Sequence, residues 1–187
     1  MIKPHIFCGN NTYRPALSFV AINTGKDKGY LFATDTYILI KAKIDECLPD
    51  CVADLLTEPC FVLGKDFAQL QNLSVAEMIT VRGQEYVSGM VIPKKGSRVK
   101  DVKEVFVKVV KTPDWKWPDC DAAIEHVPKN KAITRIGVDA NLLSRIQKAI
   151  GSLSIHLYFS AENNGIGVRD GKSDDRFTAI CMPTTIF

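Results

Sequence analysis

Apolar side chains recur along this chain with two distinct periods, and the switches between them mark out its elements. The clearest unit lies at residues 135–183. It opens with the short run Arg135-Ile136-Gly137-Val138, after which Asp139 stands where a helix N-cap belongs, its carboxylate placed to accept a first-turn amide. Leu142, Leu143, Ile146, Ala149 and Ile150 then recur at three-four-seven spacing and share one helix face, with Asn141, Ser144, Arg145, Gln147 and Lys148 on the others. Gly151 predicts the stop. Residues 154–159, a turn at 162–165, a short run at 166–168 and residues 176–182 read as strands of one antiparallel sheet.

A similar plan occurs earlier. Residues 4–7, 16–22 and 30–44 read as strands, with turns at Asn10-Asn11 and Thr24-Gly25-Lys26-Asp27 and no helix between them. Residues 44–59 form a connection with a short helical turn at Leu55-Leu56. A strand at 60–63 leads into a helix over 64–73 that turns Phe67, Leu70 and Leu73 inward. Strands at 76–81 and 86–92 flank a turn at 82–85, and the alternation of Val105, Val107 and Val109 predicts a strand with one buried face. Strand, helix and meander thus occur at 60–110 and again at 135–182, which points to internal duplication. The fold class expected is α+β: mostly antiparallel β-sheet with two helices, in repeated strand-helix-meander units. The expected division is a unit over 1–127, made of a strand-only repeat (1–58), a strand-helix-meander repeat (59–110) and a linker (111–127), followed by a C-terminal repeat over 128–187.

Composition narrows the function classes. With 187 residues, 46% of them hydrophobic, the chain can bury a full core. No apolar run approaches the ~20 residues of a membrane span and no signal-like stretch follows Met1, so a soluble cytoplasmic protein is expected. Six cysteines form no C-x-x-C pair and several sit in apolar runs, which predicts buried reduced thiols. His5, His126 and His156 are scattered, so no metal site is expected. The formal charge of +3 does not by itself imply nucleic-acid binding. Basic residues cluster at Lys94, Lys95, Arg98, Lys100, Lys103, Lys108, Lys111 and Lys116, as either a phosphate-binding surface or an edge strand guarded by lysines. Gly25-Lys26 and Gly64-Lys65 lack P-loop spacing, no hydrolase motif is present, and a His5/Cys8 pair has no orienting third group; no cofactor and no catalysis are expected.

Three separated segments carry a resemblance. Ala33, Thr34, Asp35 and Leu39 match the Ala-Thr-Asp-Gly-x-Arg-Leu segment of bacterial β sliding clamps, the processivity factors of replicative DNA polymerase, in which a strand bends at the Thr-Asp pair. Thr36 stands at the family's Gly, Tyr37 at its variable position and Ile38 at its Arg, which predicts a less polar groove floor and a less free backbone. Lys116-Trp117-Pro118-Asp119 resembles the Arg-Phe-Pro-Asp that leads from one clamp repeat to the next, and Met182-Pro183 resembles the Met-Pro that ends the last strand. From the residues alone, Trp115 and Trp117 read as a packed linker or as base-stacking groups beside a basic strand.

In the clamp family all three segments serve one hydrophobic groove that accepts short linear peptides from polymerases, clamp loaders and repair proteins. The resemblance implies a groove built here from Thr34, Thr36, Tyr37, Leu39, Pro118, Ile124, Ile180, Met182 and Pro183. It also implies helices facing double-stranded DNA without reading its sequence, with Lys65, Arg145 and Lys148 as the candidates, and a homo-oligomeric ring. A clamp subunit is about twice this long, so the expectation is a shortened, clamp-like chain. It is either a processivity or tethering factor, or a clamp-derived module that binds peptides without encircling DNA.

Overall fold

The computed structural model describes residues 1–10, 12–93, 102–125, 137–152, 154–159, 165–170 and 176–183. Ten strands form one sheet: β1 (Phe19–Ile22), β2 (Tyr30–Thr34), β3 (Ile38–Lys43), β4 (Cys60–Leu63), β5 (Val75–Val81), β6 (Gln84–Val91), β7 (Lys103–Val110), β8 (Ile155–Tyr158), β9 (Ile166–Asp170) and β10 (Phe177–Cys181). Their order is β5-β6-β7-β4-β1-β2-β3-β10-β9-β8, and every neighbouring pair is antiparallel. Among the described residues, five α-helices accompany them: α1 (Ile44–Cys47), α2 (Asp50–Ala53), α3 (Gly64–Leu70), α4 (Cys120–Glu125) and α5 (Ala140–Ile150). The α+β, mostly antiparallel architecture is the expected one. No helix among the described residues is long and apolar enough to cross a membrane.

The two faces of the sheet have different covers. On one face, Val20, Ile22, Leu31, Ala33, Ile38, Ile40 and Val62 meet Phe67 and Leu70 of α3 and Ile146, Ala149 and Ile150 of α5 in the main core. Helix α5 ends as its sequence dictates. Asp139 Oδ1 accepts the Asn141 N–H at 2.8 Å, and Gly151, at φ 66°, closes the C-terminus with its N–H on the Gln147 carbonyl. On the other face, a smaller cluster of Ala21, Phe32, Leu39, Phe61, Cys120 and Ile180 lies under residues 115–124, with Trp115, Trp117 and Ile124 packed against it. The linker is therefore a strap across the sheet. Trp115 sits 4.9 Å from the ring centroids of both Phe19 and Phe61, the latter edge-on, and Trp117 sits 5.7 Å from Phe61.

Several local expectations change. Residues 4–7 and 15–18 are 3₁₀ turns, each with a proline in its first turn, so their apolar residues do not form ladder positions. The turn Pro4–Phe7 packs against both α3 and α5 and buries Ile2 and Phe7 fully, occupying space beside the helices in a repeat that has no long helix of its own. The connection after β3 holds α1 and α2, which places Cys47 and Cys51 on different helices, and the expected helical turn at Leu55-Leu56 is present as the continuation of α2, with the Leu55 and Leu56 N–H groups on the Val52 and Ala53 carbonyls at 3.1 Å. Residues 30–44 are two strands, not one bent strand. In β7 the predicted alternation holds: Val105, Val107 and Val109 are buried while Phe106 and Lys108 are exposed. Of the basic cluster, Lys94, Lys95, Arg98 and Lys100 lie outside the described residues, as do Arg135 and Ile136 of the expected opening strand.

Candidate peptide groove

The turn between β2 and β3 is built by its own side chains. Asp35 Oδ1 accepts the backbone N–H groups of Tyr37 and Ile38 at 2.9 and 3.0 Å, and Thr34 Oγ1 donates to the Ile38 carbonyl at 2.8 Å while accepting the Thr36 N–H at 3.1 Å. This geometry forces Thr36 to φ 85°. A β-branched residue rarely adopts that region, where glycine is at ease, so the position at which clamps carry Gly is strained in this chain. The other carboxylate oxygen of Asp35 accepts from Arg145 Nη1 of α5 at 2.6 Å, and Arg145 Nη2 donates to the Ile6 carbonyl at 2.9 Å. One side chain thereby ties α5, the N-terminal 3₁₀ turn and the β2–β3 turn together.

Strand register brings the last segment to the first. β10 pairs with β3 so that Ile180 lies opposite Leu39 and Cys181 opposite Ile38, and the Met182 N–H then donates to the Tyr37 carbonyl at 2.9 Å. This ladder also runs across the expected division at 127/128.

The strap supplies the remaining wall through α4. Asp119 Oδ1 accepts the Ala122 N–H at 2.9 Å, starting the helix. Asp121, 7% exposed, is gripped by Lys41 Nζ at 2.7 Å and by the Lys26 N–H at 2.7 Å, and Lys41 also reaches Asp27 at 3.1 Å. Burial works against the charge on Asp121, but Lys41 and the Lys26 amide outweigh it and hold its carboxyl below its ordinary value. Gly25 makes the approach feasible, since a Cβ there would sit 2.5 Å from Asp121 Oδ2 and 2.7 Å from the Phe32 ring.

These elements enclose a cavity of about 220 Å³ lined by Thr34, Thr36, Tyr37, Ile38, Leu39, Pro118, Asp119, Cys120, Ala123, Gly165, Ile180 and Met182. Seven of the nine residues expected to form a groove are together here: Thr34, Thr36, Tyr37, Leu39, Pro118, Ile180 and Met182. Ile124 is not among the lining residues. On α4 it packs into the smaller core cluster, while Cys120 and Ala123 line the cavity. Pro183 is half-buried and also lies outside the cavity wall. A second, larger hollow of about 610 Å³ shares Thr34, Thr36, Pro118 and Asp119 with the first and runs along residues 13–17 and 115–117.

The chemistry of the lining is apolar contact. Burial pushes the Cys120 thiol up to about 12, so it stays protonated and acts as a small hydrophobe. Cys8 is likewise pushed up to about 12, chiefly by burial, and His5 lies on the same 3₁₀ turn, with the Cys8 N–H on its carbonyl, not on a shared strand. Of the expected DNA-facing residues, Lys65 on α3 and Lys148 on α5 are exposed. Arg145 is turned inward onto Asp35, an internal tie in place of the outward charge expected of it.

No family model and no curated protein matches the chain. Among solved structures, the fold is similar to the C. crescentus beta sliding clamp solved with PEG bound, at a TM-score of 0.64 and 13% identity over 98% of this chain and 61% of that one. It is similar to the DnaN sliding clamp of Pseudomonas aeruginosa bound to griselimycin, at 0.58 and 15% over 97% and 61%. It is similar to the DNA polymerase beta subunit of Streptococcus pyogenes, at 0.59 and 12% over 98% and 62%. At such identities the likeness is one of fold. The described chain carries the fold of a bacterial DNA polymerase sliding clamp, over a span of about three-fifths of such a clamp's length.

Proposed function

We propose that this protein acts by binding, as a clamp-like processivity or tethering factor whose groove accepts short apolar peptides of DNA polymerases, clamp-loader subunits or repair proteins. The observation that carries this reading is the convergence of three distant segments, 34–39, 118–123 and 180–182, on one apolar cavity. An extended peptide needs such a surface: burial of a leucine or phenylalanine side chain supplies about 1.5–3 kcal/mol each, and flexible Met182 adapts to different partners. Two or three such anchors supply about 3–9 kcal/mol before ordering costs, so main-chain hydrogen bonds have to add to them before affinity reaches the roughly 8 kcal/mol of a micromolar complex.

Double-stranded DNA would lie against the helix-covered face and meet Lys65 and Lys148, a contact that needs no base reading. A homo-oligomer would form through the outermost strands β5 and β8. The second reading, a clamp-derived module that binds peptides without holding DNA, is favoured by the inward turn of Arg145, which leaves fewer cations for phosphate.

Fluorescence polarisation with a labelled neutral peptide bearing leucine and phenylalanine anchors tests the groove. Met182→Glu should weaken binding at least tenfold with an unchanged unfolding midpoint, because Met182 is 41% exposed; unaltered affinity would sink the groove assignment. Solution mass with nicked circular and linear DNA separates the two readings. An oligomer retained on circles and shed from linear DNA marks a topological clamp, and a monomer indifferent to both marks the module.

A further inference from the structure

The outer face of the sheet is covered unevenly. Residues 115–124 lie over its middle strands, while β5, β6 and β7 at one end keep their outward side chains in solvent. Met78, Val87, Val105, Val107 and Val109 face the main core, so the residues alternating with them face outward. Of the ten large apolar side chains exposed among the described residues, six stand on or directly beside these three strands: Val75, Val81, Met90, Ile92, Val102 and Phe106, each 43–58% exposed. Single exposed apolar residues are ordinary, but a contiguous group marks a contact surface. Strand register sets this face out in rows. The middle row is Glu77, Ser88 and Phe106; on one side of it lie Val75, Met90 and Glu104, and on the other Ile79, Tyr86 and Lys108. Along β7 the outward side chains are therefore an anion, an aromatic ring and a cation at equal spacing. Glu104 and Lys108 are both exposed, and neither is in an ion pair among the described residues.

We propose that this face docks on the same face of a second copy of the chain, in an isologous dimer whose two-fold axis runs along the middle row. Two sheets stacked face to face are related by an axis lying between them. An axis parallel to the strands would set Glu104 on Glu104 and Lys108 on Lys108. An axis across the strands reverses the partner's strand direction, so each Glu104 meets the partner's Lys108, each Phe106 meets its own copy, and Val75 and Met90 meet Ile79 and Tyr86. Stacked sheets cross at about 30°, which shifts positions one row from the axis by roughly 3–4 Å, within the reach of a lysine stem. Glu77 opposes itself, but on the exposed edge strand, where water screens the pair. Three strands about 4.8 Å apart and seven residues long at about 3.4 Å each give roughly 340 Å² of projected face per chain. This is below the ~800 Å² that each partner of a stable complex buries, so the dimer is weak, with a dissociation constant on the order of 100 μM. The contact is distinct from pairing through the edges of β5 and β8, because Phe106 and both charges stand on β7, two strands or about 10 Å inside the β5 edge. An unrelated apolar partner would not call for opposite charges equally spaced about Phe106; a second copy does.

Sedimentation velocity of the intact chain from about 5 to about 500 μM, without DNA or peptide, is the test, and it should show monomer passing to dimer as concentration rises. Glu104→Lys and Lys108→Glu each bring like charges together at both ends of the contact, and each alone should raise the dissociation constant at least tenfold. An equimolar mixture of these two variants should dimerise about as well as the unaltered chain, because both contacts then join a lysine to a glutamate again; the chain carrying both exchanges should do the same. Phe106→Glu should leave a monomer throughout. All three positions are exposed, so the urea midpoints should be unchanged, which separates loss of contact from loss of fold. A chain that stays monomeric over the whole range would overturn the proposal. Association indifferent to all of these substitutions would place the contact at the strand edges and equally overturn it. Weak single variants whose mixture stays monomeric would refute the two-fold register.

Discussion

Breaking the tie between Asp35 and Arg145 should loosen both the fold and the mouth of the groove. The Asp35 side chain is 10% exposed and that of Arg145 33%, and they meet at 2.6 Å. Parting a fully buried ion pair costs about 3–5 kcal/mol, whereas an exposed pair is worth about 0–1. The one-third exposure of the guanidinium lets water replace part of what is lost, which puts each single substitution near 2 kcal/mol. Asp35→Asn is the cleaner probe, because its amide oxygen can still accept the Tyr37 and Ile38 N–H groups and so preserves the turn while removing the charge. Arg145→Met keeps the apolar stem but also leaves the Ile6 carbonyl without its donor. Equilibrium unfolding in urea is the assay. With an m-value of about 2 kcal/mol/M, each variant should shift the midpoint by roughly 1 M at unchanged m, and the double variant should show a coupling of about 1–2 kcal/mol. Coupling below about 0.3 kcal/mol would refute the tie and return Arg145 to the residues free to meet DNA. The same geometry means that Arg145→Glu cannot serve as a test of DNA binding, since it would disturb folding; Lys65→Glu and Lys148→Glu are the informative pair.

Two further outcomes follow from the site. Thr36→Gly should raise stability by about 0.5–1 kcal/mol, because relief of the left-handed backbone, about 1–2 kcal/mol, exceeds the added freedom of glycine in the unfolded chain; a lower melting temperature would contradict the strain. Acid should detach α4. Asp121 has a folded-state pKa below its unfolded value of about 3.9, so its contribution is complete above that value and is lost as pH falls through the lower folded pKa. Tryptophan emission and the urea midpoint should therefore change below about pH 4 and do so less in Asp121→Asn; identical acid profiles for the two proteins would remove Asp121 as the clasp.

What could be read from the sequence was what local chemistry decides. Asp139 and Gly151 bracket α5 because capping acts over one turn, and Val105, Val107 and Val109 announced a strand because pleating has a period of two. The groove segments were found because their residues keep a recognisable pattern, not because the sequence shows them meeting. Residues 4–7 look like a strand in the sequence but are not one, because a proline-led 3₁₀ turn buries apolar side chains without a ladder. Ile124 enters the expected groove through the resemblance, and only the helical register of α4, which no periodicity marks in the sequence, separates the cavity-lining Ala123 from Ile124. The resemblance makes Arg145 a DNA-facing candidate, and its inward tie is not legible in the sequence because Asp35 lies 110 residues away, a distance at which spacing carries no information.

The pairing of β3 with β10 has a consequence for when the protein becomes competent. One wall of the cavity is an early hairpin and another is the last described strand, so the pocket does not exist in any nascent chain that still lacks Ile180 and Met182. Loop closure over so long a span is also slow relative to local elements. Under the proposed reading, partner capture would in this way be coupled to completion of the sheet, and chains lacking Ile180 and Met182 would be unable to compete with finished ones for the same peptides.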